Sequence, residues 1–346
     1  MSRFEGLLDQ EKPLGILSGI LAKGKIPHAF LLTGLDGIGK RTAAIRFAMA
    51  CNCRGVRTAV GPGREEAVTG SVLSSCGQCG SCVKILAGCH PDVIQVVPEG
   101  DIIKISQIRE LTQRLTFRPH EAAARVVVIS DAQTMNVEAA NALLKALEEP
   151  PPETFFFLTA AQRADLLPTV VSRCQHIRFN PVAAEKIADY LIHHHGCAPD
   201  AARTAAIIAA GSVARALSLA LRPEALGRMD QRRRWLADKL TSLSSSAMPV
   251  ILLFAQKLAS DKNHLLPSLE MMKQLLRDAV VGRWCPEKIV NADLREAVGA
   301  IAARYGPEIL LSKINVVADA EQAVRQHANQ RLVLEAMALR LADLAA

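Results

Sequence analysis

The sequence predicts an α/β domain built on a parallel sheet, followed by a second half made of helices. Three observations carry this. Short apolar, β-branched runs alternate with helix-spaced segments as far as about residue 180. A Gly-rich turn ending in lysine joins the first such run to the helical segment after it. Beyond Pro181 the strand signals stop, and Ala- and Leu-rich patterns with helical period take over.

The elements follow in order. Ile16 to Ile26 repeats apolar residues at helical spacing and ends at Pro27. Ala29-Phe30-Leu31-Leu32-Thr33 is a short buried-strand run that enters the Gly-rich turn, and Arg41 to Cys51 has helical composition. Residues 54–75, rich in Gly, Ser and Thr, read as an irregular excursion. Asp92 to Val97 predicts a second strand, Ser106 to Leu115 a helix, and Arg125 to Ser130 a β-branched third strand. Ala139 to Leu147 is a helix stopped by Pro150-Pro151-Pro152; Thr154 to Thr159 and Ile177-Arg178-Phe179 are the last strands. Residues 182–221 predict short helices with Gly211-Ser212 between two of them, and from about Asp230 to Ala346 the pattern is almost wholly helical. The expected domains are therefore 1–180, 181–240 and 241–346.

Composition narrows the functional classes. A chain of 346 residues exceeds what one compact core organises, which agrees with two or three domains. With 50% hydrophobic and 22% charged residues it is globular and not disordered. No apolar run approaches the roughly 18 residues that a bilayer helix needs, and Met1-Ser2-Arg3-Phe4-Glu5 has no apolar signal core. The expectation is a cytoplasmic protein without a membrane partner. A net charge of +7 is compatible with a polyanionic partner. Six of the nine cysteines lie between Cys51 and Cys89, which in a reducing compartment points to a metal site before disulfides.

Gly34-Leu35-Asp36-Gly37-Ile38-Gly39-Lys40 fits a phosphate-binding loop, set between a strand and a helix where such a loop belongs. Its glycines let backbone N–H groups curl round phosphate oxygens, and the helix N-terminus adds favourable partial charge. Lys40 has the reach for β and γ phosphates. The next position, where Ser or Thr ligates Mg²⁺, holds Arg41, which cannot ligate a cation; Thr42 comes one residue late. Nucleotide binding at Gly34, Gly37, Gly39, Lys40, Thr42 and Asp131 is thus expected to be weakened or absent, with ATP or ADP as the ligand class. After the strand Val126 to Ser130, Asp131 supplies the acidic residue linked to Mg²⁺, but Ala132 stands where a water-activating Glu belongs. This argues against an active ATPase.

Cys76-x-x-Cys79-x-x-Cys82 offers three thiolates on a turn, with Gly77 and Gly80 expected to allow the bends. Cys51, Cys53, Cys89 and His90 are candidates for a fourth ligand, and Cys53, at the end of the helix after the phosphate loop, is preferred. A closed tetrahedral site of this kind holds Zn²⁺ in a structural role, in a module at about 51–90.

Several stretches resemble the AAA+ clamp-loader family of bacterial DNA polymerase III. They are Lys25 to Gly34, Asn141-Ala142-Leu143-Leu144-Lys145-Ala146-Leu147-Glu148-Glu149-Pro150-Pro151, Ser172-Arg173-Cys174 and the cysteine cluster. The resemblance covers about residues 15–180 and implies an α/β P-loop fold of AAA+ type, a RecA-like parallel sheet with a zinc module. A small helical lid and an all-α collar that forms a ring are implied after it.

Within the family, Asp131-Ala132, Arg41 and Gly211-Ser212-Val213-Ala214 depart from the ATPase motor (gamma/tau) and favour a stator that hydrolyses little or no ATP. The resemblance further implies that Arg173 projects as an arginine finger into a neighbouring motor's ATP site. The implied partners are motor and delta subunits, the sliding clamp and primed DNA. Arg232-Arg233-Arg234 reads as a solvated helix face before it reads as a DNA contact. Two rivals are an ATPase of the motor type and a zinc-based nucleic-acid-binding module.

Overall fold

The computed structural model describes residues 7–55, 75–243, 247–261, 264–325 and 328–343. Residues 56–74 of the excursion and the first six residues lie outside them.

The first unit, residues 1–182 with 211–214, is a parallel α/β fold. Its strands are β1 (Ala29–Thr33), β2 (Val93–Val96), β3 (Arg125–Ile129), β4 (Thr154–Ala160) and β5 (Gln175–Arg178). All pairings are parallel, in the order β2-β3-β4-β1-β5. Register pairs Phe30 with Phe157, Val127 with Phe156 and Leu31 with His176. Every residue of β1, β3 and β4 is buried, as continuous apolar runs covered on both faces require. The edge strand β5 buries only Ile177.

On one face Phe30 stacks on Phe157 at 4.7 Å, and Phe47 of α2 (Lys40–Asn52) packs on Phe157 at 4.9 Å. The other face carries Leu31, Val127, Phe156 and Leu158. They pack on Ile108, Leu111 and Leu115 of α4 (Ile105–Leu115) and on Leu143 and Leu147 of α5 (Val137–Glu148). Asn136 caps α5 by accepting the Ala139 N–H at 2.9 Å.

Three further helices belong to this unit: α1 (Glu11–Lys23), α3 (Gly80–Leu86) and α6 (Pro168–Val171). The helix α3 corrects one expectation. Gly77, at φ +66°, makes a bend, but Gly80 is the first residue of a helix that carries Cys82.

The second unit, residues 183–210 with 215–346, is helical in its described residues. It contains α7 (Ala184–His195), α8 (Pro199–Ile208) and most of α9 (Val213–Ala220). Then come α10 (Pro223–Ser242), α11 (Met248–Ser260), α12 (Leu265–Val281), α13 (Arg295–Arg304), α14 (Pro307–Arg325) and α15 (Gln330–Asp343). Helix α12 buries Leu269, Met272, Leu275 and Leu276 and packs on α14, α10 and α13; α11 packs on α15.

Arg232 to Arg234 are not a solvated face. Arg233 is 1% exposed and donates to Asp230 at 2.6 Å and Asn291 at 2.9 Å, with Asp293 beside it. Arg232 donates to Ser268 at 2.6 Å and Asp261 at 3.2 Å; only Arg234 is exposed, and it too pairs with Asp230. These charges are spent on carboxylates inside the helical unit. Among the described residues, no helix is long and apolar enough to cross a membrane.

Candidate functional site

The phosphate loop is shaped by two glycines that no other residue can replace without movement. Gly34, at φ +145°, turns the chain off β1, and a Cβ there would stand 2.7 Å from the Phe179 carbonyl oxygen. Gly37, at φ +71°, faces the 211–214 turn. A Cβ would meet Ser212 Oγ at 2.6 Å and Ala214 Cβ at 2.9 Å, and the Ala214 N–H donates to the Gly37 carbonyl at 3.1 Å. Gly39, also at positive φ, leads into α2.

Lys40 opens that helix and is buried. Its ammonium donates to the carbonyls of Gly34 at 2.7 Å and Leu35 at 2.8 Å, closing the loop on itself. Burial lowers its pKa, and the charges of Asp36 and Asp131 act in the opposite direction. Arg41 points away: its Nε donates to Gln95 Oε1 at 3.0 Å, with Nη2 bonded to the same oxygen. Thr42 is half-buried, one position further along α2.

Asp131 follows β3 with a left-handed φ of +52°. Its N–H donates to Thr159 Oγ1 at 3.0 Å, which ties the end of β3 to β4. Ala132, where a catalytic Glu was sought, is 1% exposed and packs its methyl into the core beside Leu158 and Ala160.

The sulfurs of Cys53, Cys76, Cys79 and Cys82 lie within 4.8 Å of one another. Cys53 ends α2 in extended conformation, and Cys82 sits in the first turn of α3. A tetrahedral zinc with bonds near 2.3 Å spaces its sulfurs by about 3.8 Å, so the four fit such an ion after a small contraction. The donor set also has the chemistry. The Cys76 N–H donates to Cys53 Sγ at 3.2 Å and the Cys79 N–H to Cys76 Sγ at 3.3 Å. Burial raises the Cys79 thiol, but hydrogen bonds from the backbone of Cys82 and Arg54 outweigh it and bring the pKa to about 6. Thiolates held by N–H donors are what a soft cation needs.

The other three candidates lie outside this group. Cys51 is fully buried on α2, where burial pushes its thiol up. Cys89 is exposed and its sulfur contacts the Lys84 carbonyl at 3.6 Å. His90 accepts the Asp92 N–H on Nδ1 at 3.2 Å.

Arg173 lies between α6 and β5, its side chain 34% exposed. Nη1 donates to the Thr169 carbonyl at 2.8 Å and to Ser172 Oγ at 3.3 Å; Nη2 donates to Glu148 Oε1 at 2.5 Å. Sequence reasoning did not pair Glu148 with Arg173. It also missed Gln95 as the partner of Arg41. The distance along the chain concealed both. Arg215, the arginine after the 211–214 turn, bonds to Glu270 within the helical unit.

The profile of the family described as "DNA polymerase III, delta subunit" matches residues 9–183, just over half of the chain. That stretch contains the phosphate loop, the four clustered cysteines and Arg173. The chain belongs to this family. A second profile, "DNA polymerase III, delta subunit, C terminal", matches residues 228–343.

Among curated relatives, DNA polymerase III subunit delta' of Bacillus subtilis (strain 168) is 28% identical over 337 residues, spanning 96% of both chains. Subunit delta' of Pseudomonas aeruginosa is 38% identical over 149 residues, spanning 42% of this chain and 41% of the relative. DNA polymerase III subunit tau of Bacillus subtilis is 32% identical over 185 residues, spanning 54% of this chain and 30% of that protein. The likeness to the Bacillus subtilis delta' therefore runs along nearly the whole chain, while that to the Bacillus subtilis tau spans 54% of it.

Proposed function

We propose that this member of the DNA polymerase III delta family works as a delta-prime-type stator of the clamp loader. It assembles with motor (gamma/tau) and delta subunits and lends Arg173 to a neighbouring motor's ATP site. Hydrolysis there drives loading of the sliding clamp on primed DNA in the cytoplasm. One observation carries the reading: the nucleotide-loop side chains lack the groups that ligate Mg²⁺ and activate water, while Arg173, held by Thr169, Ser172 and Glu148, keeps its side chain 34% exposed with donors to spare. Lys40 is tied to Gly34 and Leu35, Arg41 is tied to Gln95, and Ala132 has no carboxylate to activate water.

The roles follow from chemistry. A planar, permanently charged guanidinium matches phosphate oxygens, and such fingers are worth about 10³–10⁵ in rate in other nucleotide hydrolases. Gly34, Gly37, Gly39, Lys40, Thr42 and Asp131 form a degenerate nucleotide site with weak or no affinity for ATP or ADP. Zn²⁺ on Cys53, Cys76, Cys79 and Cys82 has a structural role, since four protein ligands leave no open position. Residues 181–240 serve as the helical lid and 241–346 as the collar of the ring.

The alternative is a gamma/tau-type ATPase motor, which the partial likeness to tau supports. ATPase activity measured on the chain alone, then with motor and delta subunits, clamp and primed DNA, separates the two. An inert chain, with Arg173→Ala lowering turnover of an intact complex, supports the stator. Turnover by the chain alone that is lost in Lys40→Ala returns the motor.

A further inference from the structure

We infer that Glu148 is a positioning residue for Arg173, fixing the guanidinium so that its remaining donors face outward. The inference rests on the finger role proposed above. Glu148 is the last residue of α5, and its Oε1 lies 2.5 Å from Arg173 Nη2. A carboxylate at the C-terminal end of a helix is disfavoured by the helix dipole, so an ordinary surface Glu gains nothing from that place. Here it meets a cation, which offsets the unfavourable dipole.

The other side of the guanidinium is held as well. Nη1 donates to the Thr169 carbonyl, freed at the end of the short helix α6, and to Ser172 Oγ. Of the five N–H groups of an arginine, these three bonds use three. Nε–H and one Nη2 hydrogen remain, which is the number a bidentate phosphate contact takes. Glu148 and Thr169 thus grip the planar group from two elements and leave two donors for an anion. Without Glu148 the long side chain regains rotamer freedom, and the entropy of ordering it falls on the reaction step.

The test uses the assembled complex with clamp and primed DNA, its assembly followed by gel filtration, and reads kcat and KM for ATP separately. Glu148→Ala is expected to lower kcat in the same direction as Arg173→Ala, with KM unchanged, because the finger acts on the transition state. Glu148→Gln, which retains an oxygen acceptor for Nη2, is expected to recover part of the loss. In an Arg173→Ala background, Glu148→Ala is expected to have no further effect.

An unchanged kcat in Glu148→Ala, beside a loss in Arg173→Ala, would overturn the positioning role and leave the finger standing. A further loss in the double variant would also overturn it, because Glu148 would then act other than through Arg173. A silent Arg173→Ala in an intact complex would remove the finger and this inference together.

Discussion

Lys40 and Gly34 are bonded within one loop: the ammonium reaches back over the turn to the Gly34 carbonyl at 2.7 Å, and shares itself with Leu35 at 2.8 Å. Lys40→Met should therefore cost the fold about 1–2 kcal/mol, because two carbonyls lose a charged donor in a buried setting. A shift of the urea midpoint without a change of slope checks this. A variant as stable as wild type would show that Lys40 is idle in the folded chain.

The gathering of four sulfurs makes a prediction about metal. Replacing any of Cys53, Cys76, Cys79 or Cys82 with Ser should abolish stoichiometric zinc, measured by mass spectrometry of the purified protein. Cys51→Ser and Cys89→Ser should retain it, since their sulfurs lie outside the group. Zinc kept by Cys53→Ser would return His90 or Cys89 to the ligand set.

Asp92 anchors the segment that enters β3. Its carboxylate accepts N–H groups from His120 at 2.8 Å, Glu121 at 2.9 Å and Ala122 at 3.0 Å, with Arg125 at 3.5 Å. Burial would raise its pKa, but these donors and the arginine outweigh burial and hold it below the usual carboxylate value. The folded pKa is thus depressed, so the stabilisation is complete above the unfolded value near 3.8 and disappears as pH falls through the folded one. Asp92→Asn should cost about 3 kcal/mol near neutral pH, by analogy with breaking a buried pair. The gap from wild type should close below the ordinary value. A gap that persists in acid would point to packing instead of charge.

Within the helical unit, Arg233 and Arg234 provide an internal comparison. Arg233 is buried against Asp230, Asn291 and Asp293, so Arg233→Met should cost about 1–3 kcal/mol by taking the charged donor from the buried Asn291 amide oxygen and from the two partly exposed carboxylates. Arg234 is exposed, and Arg234→Ala should cost under about 1 kcal/mol. Chemical denaturation of both variants distinguishes a structural arginine from a surface one. Equal effects would sink the distinction.

Much of the fold was legible because it is written in local patterns. The runs Ala29–Leu32 and Val126–Ile129 are continuously apolar because both faces of a parallel sheet are covered, and that leaves no alternation to misread. The phosphate loop was legible because its glycines answer to backbone geometry within nine residues of chain. The turn of α3 was not, because Ser81 and Cys82 carry no helical period that seven residues can display.

The sequence by itself determined the order of the strands, the phosphate loop with Arg41 after its lysine and Ala132 after Asp131, and the supply of clustered thiols. Only the tertiary structure decided which partners those groups take. It brought Cys53 from the end of α2 to the Cys76-to-Cys82 turn, seated Ser212 and Ala214 against Gly37, buried Arg233 among acids, and set Glu148 on Arg173. The physical reason is one of range. Backbone propensity and burial act over a few neighbouring residues, whereas hydrogen bonds, ion pairs and ligand sets join residues tens of positions apart once the chain is packed.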